Sequence, residues 1–109
     1  MEETKNYLLQ FAPAKRLIRF LKATLENCVS ESERVQIEGL IADREQLIID
    51  IYSLVFQLPN TIESDIISLR YLEDKSVDEV CSALFIAKST YHNHHNIALQ
   101  ILTEKRCNR

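Results

Sequence analysis

From Ser30 to Leu58 the chain runs with no proline and a single glycine, and its apolar residues fall mostly in pairs. Ile37, Leu40/Ile41, Leu47/Ile48, Ile51, Leu54/Val55 and Leu58 recur close to a heptad spacing, as one face of a long helix does. A helix of about 28 residues is about 42 Å long, more than a small domain covers by itself. The stripe therefore predicts an antiparallel hairpin with the segment before it and a homodimer through the long helix for the remainder. Ser30 and Glu33 stand at capping-box spacing at its start. Arg44 interrupts the seam, and Gly39 inside the helix costs roughly 1 kcal/mol relative to alanine.

The partner segment has its own stripe, Ala14, Leu17, Ile18, Leu21, Leu25 and Cys28, on a helix starting near Pro13, with Lys15, Arg19 and Lys22 opposite. With one glycine, two prolines and 46% apolar residues in 109, the composition predicts an all-α chain with enough apolar material for a core. Pro59 divides it. Residues 1–58 read as a helical hairpin that oligomerises, and residues 59–109 as a set of shorter helices. Asn60 and Glu63 have cap spacing ahead of Ile62, Ile66, Leu69 and Leu72; Ser76 and Glu79 repeat the device before VDEVCSALF; a last helix runs from about Lys88 to about Lys105.

Several function classes find no support. Three cysteines, Cys28, Cys81 and Cys107, contain no C-x-x-C pair and signal neither disulfides nor a zinc knuckle. The N-terminus is acidic where a secretory signal is basic, and no apolar run approaches the ~20 residues that span a bilayer, so a cytoplasmic protein with no membrane partner is expected. No glycine-rich phosphate loop, nucleophile elbow or H-E-x-x-H is present, so no catalytic residue and no cofactor are assigned. His92 and His95 are three apart, yet Cys81 and Cys107 are the only further ligands nearby and no spacing supports a metal.

The stretch EVCSALFIAKSTYHNHHNIAL, residues 79–99, reads as two short helices about a tight turn, the parts of a helix-turn-helix. Val77, Val80 and Leu84 read as inward, Cys81 and Ala83 as small residues at the helix crossing, and Ile86 as the apolar plug of the turn. Tyr91, one of His94 and His95, Ala98 and Leu102 read as the inward face of the last helix. Arg70-Tyr71, Ser76, Leu84, Ser89-Thr90-Tyr91 and Ala98-Leu99 resemble the sigma-factor-like helix-turn-helix of small phage transcriptional regulators of the ArpU/RinA type. The resemblance covers about residues 60–102. Phe85 stands where that family places glycine, so either the turn departs from the family's geometry or packing holds Phe85; Ala87 replaces the usual serine or threonine cap.

The resemblance implies a sequence-specific, double-stranded DNA-binding regulator that lays the helix from Lys88 in the major groove. Lys88, Ser89, Thr90, His92, Asn93 and Asn96 are its candidate contacts, with Asn93 suited to adenine and Lys88 to guanine or phosphate. Lys105, Arg106 and Arg109 are candidate sequence-blind anchors, and Lys88–Arg109 is basic although the chain's net charge is -3. Three imidazoles that charge below about pH 6.5 are expected to strengthen the attraction to phosphate in acid. The alternative is a protein-interaction module, a repurposed helix-turn-helix that binds RNA polymerase, another regulator or a host defence protein.

Overall fold

The computed structural model describes residues 2–27 and 30–107, so Cys28 and Arg109 lie outside the described residues. The chain is all-α: α1 (Glu2–Leu8), α2 (Phe11–Leu25), α3 (Glu31–Val55), α4 (Ile62–Ile67) widening into a π-helical turn (Ser68–Leu72), α5 (Val77–Leu84) and α6 (Lys88–Cys107).

Local sequence explains most of the boundaries. Ser30 accepts the Glu33 amide and starts α3. Ser76 and Glu79 form the full reciprocal box: the Glu79 amide donates to Ser76 Oγ at 3.1 Å and the Ser76 amide donates to Glu79 Oε1 at 3.0 Å. The start of α4 differs from the expectation. Its N-cap is Thr61 rather than Asn60, with no side-chain cap bond, and Glu63 faces α6 instead. Pro13 lies in the first turn of α2, where its missing amide leaves no bond unmade.

One core unites the two halves of the sequence. Leu8, Phe11, Ile51, Leu54, Val55 and Leu58 pack with Ile67, Tyr71, Ala98, Leu99 and Leu102. Each fully buried Leu, Ile, Val or Phe side chain among them contributes about 1.5–3 kcal/mol of transfer free energy. The C-terminal end of the long-helix stripe is thus covered by α1, α2 and α6 of the same chain. Towards its N-terminus α3 buries only Ile41, against α2, and the hairpin projects. The radius of gyration, 16.6 Å, exceeds the roughly 13 Å of a compact chain this long.

Two features were outside the sequence reading. The first is α1, which buries Thr4 and Leu8 and is held to the end of α6 by Thr4 Oγ1 to Thr103 Oγ1 at 2.6 Å, Arg106 donating to Thr4 at 3.1 Å, and Arg106 over the Tyr7 ring at 4.7 Å. The second is the π turn, whose extra residue rotates the register so that Ile67 and Tyr71 are buried and Leu69 and Leu72 only partly so. A second small core, Ile66, Val80, Cys81 and Tyr91 with Ile62, Leu69, Val77, Leu84 and Ile86 around it, seats α5 and α6.

Candidate nucleic-acid interface

The turn between α5 and α6 keeps left-handed geometry without glycine. Phe85 has φ 56° and ψ 47°, its amide donates to the Cys81 carbonyl, and the Ile86 amide donates to the same oxygen at 3.1 Å. Packing does not hold Phe85 there, because its side chain is 94% exposed. Ile86 turns inward beneath it and Cys81 occupies the crossing. Ala83, expected at the crossing, is exposed on the outer side of α5.

From this seat α6 presents a continuous polar stripe. Lys88, Ser89, His92, Asn93 and Asn96 are exposed, while Thr90 is half-buried beside Tyr91. Positions three and four apart share a helix face, so the five lie along one side over about 12 Å. Ala87 offers no side-chain oxygen to cap the helix, whose N-terminal dipole end faces the same way. Lys88 Nζ is 3.0 Å from Asp78 Oδ1, a solvent-facing pair that offsets part of its charge.

The three histidines have three different surroundings. His95 is the inward one, stacked between Tyr71 and Tyr91 at centroid distances of 5.7 and 5.3 Å, with Nε2 2.7 Å from Tyr71 Oη. Burial, with Lys5, His92 and Arg70 nearby, pushes its pKa down to about 4; burial likewise pushes the Tyr71 phenol up to about 12. His94 lies 2.8 Å from Glu63 Oε1 through Nδ1. The His94 bond holds the Glu63 carboxyl below its ordinary range, so the carboxylate accepts and Nδ1–H donates. His92 stands on the open stripe, its ring edge-to-face with Tyr91 at 5.1 Å. The expectation of three imidazoles charging together is therefore corrected: His95 stays neutral in mild acid. No group of three potential metal ligands occurs among the described residues.

The anchors differ too. Lys105 and Arg106 are half-buried about 26 Å along α6 from Lys88, and Arg106 is engaged by Thr4 and Tyr7. Arg106 thus also serves as a clasp on α1. The sequence reading missed Lys5 and Arg70, which line a cleft of about 260 Å³ together with His92 and Asn96. Arg70 is fixed by donating to the Lys75 carbonyl at 3.3 Å and lies over the Tyr71 ring at 5.5 Å. No local pattern marks Lys5, since α1 reaches the site only through tertiary packing against α6.

No helix among the described residues is long and apolar enough to cross a membrane. No curated protein and no solved structure matches the chain. A family model described as a protein of unknown function (DUF1492) matches residues 25–103, from the end of α2 through most of α6. The long helix, the seat and the exposed stripe are thus all features of a chain that belongs to the DUF1492 family.

Proposed function

We propose that the protein is a sequence-specific DNA-binding regulator of transcription, of the phage type suggested by its likeness to sigma-like helix-turn-helix regulators, and that α6 reads the major groove. The observation that carries this reading is the exposed stripe Lys88, Ser89, His92, Asn93 and Asn96 on a helix seated by α4 and α5. A major groove about 12 Å wide admits one α-helix, and these residue types suit base edges and phosphates. Asn93 is assigned to a base, Lys88 and Ser89 to phosphate or guanine, and Asn96 and His92 to the groove wall. Lys5 and Arg70 are basic residues that flank that stripe across the cleft they share with His92 and Asn96. The protein acts in the cytoplasm and without a catalytic step.

Fluorescence anisotropy on DNA flanking the protein's own coding region, over a salt series, tests the reading. With two or three phosphates neutralised per copy, log affinity falls against log salt with a slope of about -2 to -3 per copy. Asn93→Ala costs about 1–3 kcal/mol on the preferred sequence and relaxes preference, whereas Lys105→Ala, at a sequence-blind anchor, weakens all sequences alike. Affinity that ignores salt, or an Asn93→Ala variant that keeps full discrimination, ends this reading.

One observation favours a second reading, a protein-interaction module that binds RNA polymerase or another regulator. Phe85 is a large apolar ring held almost wholly in water on a left-handed backbone. Such exposure beside the stripe suits a contact with protein rather than phosphate. Under this reading Phe85→Ala abolishes polymerase capture while DNA affinity is unchanged.

A further inference from the structure

The residues expected to form a dimer seam are largely used inside the chain: Ile41, Ile51, Leu54, Val55 and Leu58 are buried. A neighbouring face of the hairpin, which shares Ile48 with that seam, remains open. Between α2 and α3 runs a mostly apolar groove of about 400 Å³, floored by Ile18, Ile48 and Ile49. Ile49 is 55% exposed, and one heptad further along α3 Phe56 is 76% exposed, with its ring stacked on Tyr52 at 5.6 Å. Lys15, Arg19 and Lys22 edge the groove on the α2 side and Glu45 on the α3 side.

Charge is segregated between the two helices. The α2 segment holds Lys15, Arg16, Arg19 and Lys22 and no acid; α3 holds six acidic residues against Arg34 and Arg44. Across the groove they already attract, with Lys22 Nζ 3.5 Å from Glu45 Oε2. We propose that a second copy of this chain docks on this face, related by a two-fold axis parallel to the hairpin, so that α2 of each copy lies over α3 of the other.

The choice of occupant and of axis follows from the charges. A two-fold parallel to the helices places each basic helix over the partner's acidic one and closes a four-helix bundle over the isoleucines. A two-fold across the helices stacks basic on basic and acidic on acidic, which like-charge juxtaposition disfavours. The two-fold also makes the contact self-complementary and closed, as isologous dimers require. This inference stands apart from the DNA reading, since the α6 stripe is not part of the face.

Sedimentation equilibrium of the full chain tests it. The expected mass is twice the 12.7 kDa of one chain, falling towards a single chain as salt is raised. Ile49→Asp halves the mass with helical circular dichroism unchanged, because Ile49 is already half in water. Phe20→Asp, an exposed apolar residue on the far side of α2, leaves the mass doubled. The pair Arg19→Glu/Lys22→Glu and the pair Glu38→Lys/Glu45→Lys each give single chains alone, and mixing the two restores the doubled mass. A wild-type chain that stays single at high micromolar concentration, a dimer that survives Ile49→Asp, or charge-swapped chains that do not recombine would overturn the proposal.

Discussion

The head built from α4, α5 and α6 and the hairpin built from α2 and α3 solve opposite problems. In the head, polar side chains are drawn inward and paired: His95 is buried between two tyrosines and half-buried His94 meets half-buried Glu63. In the hairpin, large apolar side chains are left outward: Phe20, Val35, Ile49 and Phe56 are all exposed. A polar network inside a small core fixes one arrangement of helices, because an alternative packing leaves a buried group unpaired. An apolar surface outside fixes nothing within the chain and acquires meaning only when something covers it. The head's polar groups are thus satisfied within the chain, whereas the outer apolar face of the hairpin is not covered by it.

That contrast can be broken most directly through the core the two regions share. Leu102→Ala empties space between α6, α3 and α1, and a loss of about 2–5 kcal/mol is expected. Denaturant unfolding followed separately in head and hairpin should show one transition moving as a unit. Two transitions, with the hairpin unaffected, would mean that the regions are independent.

The polar interior of the head is sharpened by pH. His95 has a folded-state pKa of about 4 against an ordinary value of 6.5, so the unfolded chain takes up the proton first. Its contribution is fully present above about pH 6.5 and is lost as the pH falls towards 4, amounting to about 3 kcal/mol over the window. Lys5, His92 and Arg70 oppose the charged ring as well, so relief of burial alone does not restore it. Urea denaturation at stepped pH, with and without His95→Phe, measures this: the variant's stability should change far less between pH 6.5 and pH 4.

Much of the head was legible in the sequence because its signals are local. The Ser76/Glu79 box closes within three residues, and the inward set Tyr91, Ala98 and Leu102 and the outward set Lys88, Ser89, His92, Asn93 and Asn96 follow from helical spacing alone. Which of His94 and His95 turns inward was not legible, since both fit the spacing; the decision rests on Tyr71, 24 residues away, brought into place by a π turn that no pattern announces. Glu63 read as a cap residue for the same reason: its true partner, His94, lies 31 residues on. The hairpin stripe and its pairing with the preceding helix were legible, but its cover by α1 and α6 at the C-terminal end was not, because a heptad of apolar residues says that a face is covered and not by which element. α1 escaped notice because Thr4 and Leu8 carry too short a pattern, and its bonds to Thr103 and Arg106 span nearly the whole sequence.

Two smaller effects separate strain in the head from slack in the hairpin. Phe85→Gly removes a left-handed conformation that costs a side-chain-bearing residue roughly 1–2 kcal/mol, while no packing is lost. A raised Tm is expected, and a fall would mean that Phe85 has a packing role within the chain. In the hairpin, a methyl group placed on Gly39 meets nothing within 4 Å, so Gly39→Ala should stabilise by up to about 1 kcal/mol. Calorimetry of both variants ranks the two.

The clasp between α1 and the last turns of α6 brings residues near the two ends of the described chain side by side, with Thr4 and Thr103 in direct contact. A short linker could therefore join those ends while a new opening is cut at exposed Pro59. In such a permuted protein the head would come first and the hairpin second, so that either part could be altered or exchanged at a free terminus.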